Sequence, residues 1–391
     1  MTKPARSSAA VLNVNQLGQD TEFFLWDKKK EEVIPSYKHF PTKEEAPNIG
    51  NKLALSAIWP GERTELTQIF EHRDLKEKYW QPQTFVLSDH TPKVFRDGLA
   101  VEINTKPHTC RAYMYNNVRY GMWLSEPWKE GEQDSIGYTT RPWVEITHKM
   151  IESFPPDLLQ LGCSPTMNAY TDRQQNVAVN PRTLLYRTSG AHLHMSFKSQ
   201  QYGQTTVIPR DLWCPWIKVA DLLLGVPFTY IFGDELEAKR RQLYGRAGEF
   251  RIQQYNANTS GIEYRVLSSR LWNHPGTFSL FVGIFKYLMG WGAAVEGIIQ
   301  KWDPAWEDTI QQGINEVDPK ALKEMLAITT ACIERYGNLP GVPQSSMTMW
   351  DALREMNFRG AFPDAGFLDP TLMEGHKGIS EWRDEWKLPQ G

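Results

Sequence analysis

Residues 189–197 read S-G-A-H-L-H-M-S-F, and this stretch decides how the rest of the chain is arranged. Its polar and apolar residues alternate, which is typical of a β-strand, because successive strand side chains point to opposite faces. His192, His194 and Ser196 therefore share one face, with the imidazoles roughly 6 to 7 Å apart, and the residues between them face a core. Imidazole is a common metal ligand. The stretch predicts a strand with one buried face and one face for chemistry; two purely structural histidines are the alternative.

The composition indicates an ordinary globular protein. The chain has 391 residues, of which 41% are hydrophobic and 23% charged, enough to build one large domain or two smaller ones. A net charge of −3 gives no sign of a basic nucleic-acid-binding surface. The four cysteines form no C-x-x-C pair, which indicates a reducing compartment without a disulfide framework. The first ten residues lack the apolar core of a signal peptide, so we expect a cytoplasmic protein.

The hydrophobic pattern favours an α+β fold with a mainly antiparallel sheet, because it combines hairpin-linked strands with segregated helices. Alternation predicts further strands at residues 22–26, near Val33, and at 84–88, 99–104, 249–255 and 261–267, the last two as a hairpin. Helical periodicity predicts helices at residues 141–154, 209–224, 232–244, 318–336 and 348–358, and a buried apolar helix at 277–299. Residues 183–187 are expected to begin the strand of the histidines, and 37–61 and 155–181 to be loops.

Acidic residues lie on several of the predicted strands. Glu22 follows Asp20 at the start of the first strand, Glu102 lies in L-A-V-E-I-N (99–104), and Glu263 lies in G-I-E-Y-R-V (261–266). If these strands are neighbours in one sheet, their carboxylates converge with His192 on one face. Such a set suits magnesium or manganese better than zinc, which favours cysteine and histidine. An outward-facing strand residue is the alternative for each acid taken alone.

Arginine is concentrated just before the last predicted hairpin strand. The run R-R-Q-L-Y-G-R-A-G-E-F-R (240–251) contains Arg246 and Arg251 in or beyond its glycine turn, and Arg265 and Arg270 follow. Arginine binds phosphate and carboxylate through two parallel hydrogen bonds. A solvated helix face is the alternative for the start of the run. The sequence has no phosphate-binding loop, dinucleotide fingerprint or nucleophile elbow, so nucleotide binding would depend on metals and arginines.

Four segments, in this order, resemble the glutamine synthetase and glutamate–cysteine ligase superfamily. They are G-Q-D-T-E-F-F-L (18–25), D-G-L-A-V-E-I-N (97–104), the histidine stretch, and G-I-E-Y-R-V (261–266) with N-H-P (273–275) after it. Together with the arginine run they are most similar to the phage-encoded COOH–NH2 ligases of the phiEco32-like type 2 group. The resemblance covers about residues 14–300. It implies a curved antiparallel sheet with helices on the convex side and the active site in the concave face.

The resemblance also implies an activity: an ATP-dependent ligase that joins an acid to an amine through an acyl phosphate, with Mg²⁺ or Mn²⁺ bound. The implied metal ligands are Glu22, Glu102, His192 and Glu263. The implied phosphate- or substrate-binding residues are His194, Ser196, Arg246, Arg251, Arg265 and Arg270. Catalytic roles would fall to Glu22, Arg246, Arg265 and Asp20. Asp20, or an acid between residues 41 and 62, would accept the proton of the amine.

We expect a flexible tail at residues 1–14, a catalytic domain at 15–310, and a helical and irregular C-terminal extension at 311–391 that packs on it. The substrates would be small-molecule or peptide acids and amines, with a modified nucleotide or DNA base as further candidates, and without a membrane partner. A homo-oligomer is open, and a phage-encoded chain would work in the host cytoplasm. The alternatives are a guanidino-kinase-like phosphotransferase, a silent binding or structural protein of this fold, and a metal-dependent hydrolase.

Overall fold

The computed structural model covers the regions that carry the predicted site. It describes residues 14–46, 93–105, 107, 114, 136–159, 166–171, 173–175, 179–197, 210–256, 259–273, 275–290 and 292–336. The strand predicted at 84–88 and the helix predicted at 348–358 lie outside the described residues, as do nearly all of the predicted tail and most of the predicted loop at 37–61.

Strands within the described residues form one large sheet and one small one. They are β1 Val14–Asp27, β2 Glu32–Ile34, β3 Lys93–Asp97, β4 Ala100–Asn104, β5 Ile136–Thr139, β6 Trp143–Glu145, β7 Thr166–Asn168, β8 Arg173–Gln175, β9 Tyr186–Thr188, β10 Ala191–Phe197, β11 Glu249–Asn256 and β12 Thr259–Tyr264. The large sheet has the order β3-β4-β1-β10-β12-β11-β7-β8, and β2 and β5 pair with the end of β1. Every described strand pair is antiparallel. The predicted mixed fold with a mainly antiparallel sheet is confirmed; its curvature stays a prediction.

Eight α-helices lie within the described residues. They are α1 His148–Glu152, α2 Arg210–Ala220, α3 Val226–Phe232, α4 Glu235–Leu243, α5 Pro275–Gly290, α6 Gly292–Ile299, α7 Ala305–Glu316 and α8 Pro319–Tyr336. A π-helical turn, Asp221–Gly225, joins α2 to α3. Short 3-10 helices occupy Ser36–Lys38, Pro156–Leu159 and Ser269–Trp272.

The main core lies between the helices and one face of the large sheet. The sheet contributes residues such as Leu193 and Ile262, and the helices contribute Ile217, Phe228 and Phe281, all at most 1% exposed. Because side chains on the other face of the same strands point away from this core, that face is available for polar residues. The sheet therefore provides a rigid support for a site.

Apolar helices belong to this core. The predicted apolar helix at 277–299 forms α5 and α6, and most of its described apolar side chains, among them Leu280 and Val295, are buried. The helical stretch Trp213–Phe232 is apolar and long enough to cross a membrane by length and composition, and 78% of its apolar window is buried inside the protein. In α7, Ile310 and Ile314 belong to the same core. The predicted division of the chain at residue 310 stays a prediction.

Two predicted elements are wrong, and one loop contains strands. Residues 141–154 are not one helix, because Trp143–Glu145 pairs as β6 with β9. The helix begins at His148, and the Thr147 hydroxyl caps it by accepting a hydrogen bond from the Met150 N–H at 3.1 Å. The strand of the histidines does not begin at 183–187, because β9 lies in the small sheet and the chain changes sheet before Ala191. The predicted loop at 155–181 contains β7 and β8, which extend the edge of the large sheet.

Candidate active site

The register of β1 with its two neighbours places predicted site residues on one face of the sheet. Asp20 lies opposite His192 on β10, and Glu22 lies opposite Glu102 on β4. Residues directly opposite each other in an antiparallel pair point to the same face. The four side chains therefore leave the sheet on the side away from the main core, as the alternation in the sequence predicts.

The same face continues across β10, β12 and β11. His194 lies opposite Glu263, and Glu263 lies opposite Arg251. Ser196, two residues beyond His194, is on this face as well and is 5% exposed. A row of acidic, imidazole and guanidinium groups thus crosses five adjacent strands, from β4 to β11.

Three carboxylates form a compact cluster at the β4 end of this row. Oxygens of Glu22, Asp97 and Glu102 all lie within 4.8 Å of one another; we call these residues the acidic trio. Asp97 was not among the sequence-predicted site residues. It ends β3 and lies opposite Ala100, so the tight turn at Gly98, with φ of +57°, puts Asp97 on the same face as Glu102. The Asp-Gly pair before an alternating strand was the available signal.

The acidic trio brings like charges close together. Glu102 is 6% exposed, and its carboxylate accepts no hydrogen bond from any residue that the structure describes. Burial and the neighbouring carboxylates raise the pKa of Glu102 well above its usual value. Burial and Asp97 raise the pKa of Glu22 to about 7, although hydrogen bonds oppose the shift. A buried carboxylate without a partner is costly, so the cluster has the character of a cation site.

Glu22 is held by two donors that use the same oxygen. The Gly190 N–H lies 2.6 Å from Glu22 Oε2, and the Tyr244 hydroxyl lies 3.1 Å from that atom. Glu22 Oε1 has no donor among the residues with described positions. One oxygen is therefore fixed by the protein, and the other is left for a further partner.

Glu263, in contrast, is saturated by donors. Its oxygens lie 3.3 Å from His192 Nδ1, 3.2 Å from Arg251 Nη1, 2.6 Å from Gln253 Nε2 and 3.6 Å from Arg265 Nε. Burial alone would raise the pKa of Glu263, but the surrounding histidines and arginines outweigh it and lower the pKa to about 2. The carboxylate is thus an anionic centre that organises the groups around it.

His192 has the environment of a neutral imidazole. It is 5% exposed, and burial and the charge of Arg265 lower its pKa well below the usual value. With Nδ1 next to Glu263, Nε2 has no hydrogen-bond partner in the described part of the chain. A neutral imidazole whose other nitrogen contacts a carboxylate is a common arrangement for a metal ligand.

His194 and Asp20 form an ion pair beside it. His194 Nε2 lies 2.7 Å from Asp20 Oδ2, and the Asn104 side-chain amide donates to Asp20 Oδ1 at 2.6 Å. Burial lowers the pKa of His194, but Asp20 outweighs burial and the net shift is upward. Both oxygens of Asp20 therefore contact other side chains, one of them His194 and the other Asn104. Of the two acids at the start of β1, Glu22 is the one in the acidic trio.

Two of the arginines predicted to bind phosphate contact the ends of α4 instead of the polar face of the sheet. Arg246 donates to the carbonyls of Arg241 and Gln242 at 2.7 and 2.8 Å, which caps the end of α4. Arg270 is buried and pairs with Asp234 at 2.6 Å at the start of α4. Their roles in phosphate binding stay predictions that these contacts do not support. The predicted alternative of a solvated face is wrong for Arg240, which is fully buried.

Comparison with known proteins gives likenesses in structure at low sequence identity. No protein-family model and no curated protein matches the chain. Among solved structures, the chain is similar to a bifunctional glutathione synthetase from Pasteurella multocida, with a TM-score of 0.42 and 9% identity over 97% of this chain and 52% of that one. It is also similar to a glutamine synthase homolog, with a TM-score of 0.32 and 10% identity over 95% and 71%. The chain spans about half the length of the first. Both likenesses are too weak to bear on function.

Proposed function

We propose that this protein is an ATP-dependent ligase that joins a carboxylic acid to an amine through an acyl phosphate. The observation that supports it best is the composition of the polar sheet face. The three clustered carboxylates of the acidic trio stand a few strands from the arginines and histidines grouped around Glu263. Such a face can bind a cation and a phosphate chain side by side.

The acidic trio fits a hard divalent cation. Glu22, Asp97 and Glu102 offer only oxygen ligands, and Mg²⁺ and Mn²⁺ prefer these. Glu102 gives the structural reason, because it is buried beside two further carboxylates and accepts no hydrogen bond from a residue with a described position. When bound, the ion would neutralise phosphate charge and polarise the transferred phosphoryl group. His192, whose Nε2 has no hydrogen-bond partner among the described residues, is a candidate for an additional ligand.

Arginine side chains would hold the phosphates and the substrate carboxylate. Arg251 and Arg265 both lie against Glu263, which fixes the direction of their guanidinium groups on this face. A guanidinium group held in place is well suited to stabilise charge that develops during transfer. His194 would add a further donor on the same face. Arg246 and Arg270 are retained as weaker candidates on sequence grounds.

The chemistry requires positioning and charge compensation more than a nucleophilic side chain. An oxygen of the substrate carboxylate attacks the γ-phosphorus, the bond to ADP breaks, and an acyl phosphate forms. The amine nitrogen then attacks the acyl carbon, the carbon–oxygen bond breaks, phosphate leaves and the nitrogen loses a proton. Asp20, which lies beside His194, is our candidate for the proton acceptor. The loop predicted at 37–61 would exclude water from the acyl phosphate.

The acid and amine remain open, and we retain small molecules, peptides and a modified nucleotide or DNA base as candidates. Phosphate release from ATP, with Mg²⁺ or Mn²⁺ and a pool of amino acids, polyamines and nucleotides, tests the proposal. Release that requires both an acid and an amine, and that is lost in Glu102→Gln and His192→Ala, supports a ligase. A stable phosphorylated product without an amide would indicate the phosphotransferase. No turnover and no stabilisation by nucleotide would overturn the enzyme and leave a binding or structural protein.

A further inference from the structure

Tyr244 connects the helical layer to the acidic trio. It follows the last residue of α4 in an extended conformation, with φ of −159° and ψ of 174°, and its N–H donates to the Arg240 carbonyl at 3.1 Å. The side chain is 5% exposed and its hydroxyl donates to Glu22 at 3.1 Å. Its ring lies edge-on to the imidazole of His192, with the centroids 5.9 Å apart. One side chain thus contacts two of the predicted metal ligands.

Two guanidinium groups hold the ring of Tyr244 in place. Arg240 lies 4.6 Å and Arg265 lies 5.3 Å from the ring centroid, within the range of cation–π attraction. Arg240 also donates to the carbonyls of Ser189 and Val266 at 2.8 and 2.9 Å. The same guanidinium therefore fixes the ring and the backbone just before β10 and just after β12, so the hydroxyl of Tyr244 has little freedom to move.

The space around Gly190 shows how closely these groups approach. A Cβ at residue 190 would lie 2.4 Å from His192 Nε2 and 2.8 Å from the Tyr244 hydroxyl. Only glycine fits there without displacing one of them. Because the Gly190 N–H and the Tyr244 hydroxyl both bond to Glu22 Oε2, the plane of the Glu22 carboxylate is set from two directions. The free oxygen, Oε1, is left for a ligand.

We infer that Tyr244 is a positioning residue that orients Glu22 to bind a divalent cation. The inference rests on the proposed cation site of the acidic trio. Hydrogen bonds from outside the ligand set fix the direction of ligand side chains, and losing one typically weakens metal binding by about 10- to 100-fold. Tyr244 contacts no reacting atom, and its hydroxyl acts on the cation through the hydrogen bond to Glu22.

Mn²⁺ binding, followed by the EPR signal of the free ion in a titration of the full chain, tests this assignment without any substrate. Tyr244→Phe keeps the ring and removes the hydroxyl, and we expect it to bind Mn²⁺ about 10- to 100-fold more weakly. Tyr264→Phe is the matched control. It also removes a phenol that donates to a carboxylate, that of Asp221 at 2.8 Å, but Asp221 lies on the π-helical turn of the helical layer. We expect its Mn²⁺ affinity to be unchanged.

Glu102→Gln separates the two ways in which the account can fail. If the unaltered chain does not bind Mn²⁺, or if Glu102→Gln binds it equally well, the cation site itself is overturned. If the unaltered chain binds and Glu102→Gln does not, the site stands. Equal affinity of Tyr244→Phe and the unaltered chain would then overturn the positioning role alone. Equal weakening by Tyr264→Phe would do the same, because the effect would then reflect general loss of structure.

Discussion

Replacing Glu102 by glutamine should stabilise the metal-free protein, in contrast to most substitutions of a buried residue. Glu102 is 6% exposed, has no hydrogen-bond donor among the described residues, and faces two further carboxylates with oxygens within 4.8 Å. At that separation, two full charges repel by about 3 kcal/mol for an effective dielectric constant of about 20. Protonation relieves part of this cost, and an unpaired buried charge costs about 1–3 kcal/mol or more. We expect Glu102→Gln to raise the free energy of unfolding by about 1–3 kcal/mol in EDTA.

Mn²⁺ should act in the opposite direction and stabilise the unaltered chain more than Glu102→Gln. At a concentration of about 100 times its Kd, a ligand that binds only the folded state adds about 2.7 kcal/mol to the free energy of unfolding. The unaltered chain should gain this amount, and Glu102→Gln should gain much less because it lacks one ligand charge. Urea unfolding followed by tryptophan fluorescence, with EDTA and with Mn²⁺, measures both effects.

A surface variant provides the control for this experiment. The side chain of Glu235 is 79% exposed and pairs with Lys239 at 2.6 Å, so Glu235→Gln should change stability by less than about 1 kcal/mol in either condition. A Glu102→Gln variant that is less stable than the unaltered chain in EDTA would show that Glu102 has a stabilising partner. An equal gain from Mn²⁺ in both chains would show that the cation binds elsewhere. Either result would contradict a cation site at Glu102 whose carboxylate is uncompensated without metal.

Three further predictions concern the support of the site. Burial raises the pKa of Asp221 to about 7, so the folded chain retains a proton that the unfolded chain releases near pH 4; stability from this group is present below that pH and is lost as pH rises through 7. Between about pH 5 and pH 8, Asp221→Asn should gain about 2–3 kcal/mol relative to the unaltered chain in urea unfolding, and a difference that does not vary with pH would contradict this. Arg240→Gln should lower the free energy of unfolding by about 3 kcal/mol or more, because it leaves several buried carbonyls without a donor; an unchanged urea midpoint would count against this. Gly190→Ala should weaken Mn²⁺ binding at least about 10-fold, because the methyl group displaces His192 or Tyr244, and unaltered affinity in the EPR titration would argue against the close packing.

The sequence predicted those parts of the site that depend on strand alternation. His192 and His194 share a face, and Glu22 meets Glu102, because both relations follow from the two-residue period and from pairing of adjacent strands. The strand β9 and the strand β10 were merged in the prediction, because the chain changes sheet at Ser189 and Gly190 without a proline or a charged turn to signal it.

Other parts depend on tertiary contacts that a local pattern does not encode. Asp97 joins the acidic trio only when the β3–β4 hairpin closes, and alternation within one strand does not show this. The high density of arginine between residues 240 and 251 does not show where each side chain points in the folded protein. Arg246 caps a helix, Arg240 is buried among carbonyls, and Arg251 alone of these three contacts Glu263. The sequence therefore predicted a cluster of arginines, but only the fold shows which of them support the structure and which face the site.

The most direct test of the cation site is the anomalous scattering of manganese in crystals grown with Mn²⁺ and a non-hydrolysable ATP analogue. We predict a manganese peak coordinated by Glu22, Asp97 and Glu102, with the phosphates of the analogue between that peak and Arg251. Manganese absent from the acidic trio, or bound there with the analogue on another face of the sheet, would contradict the account.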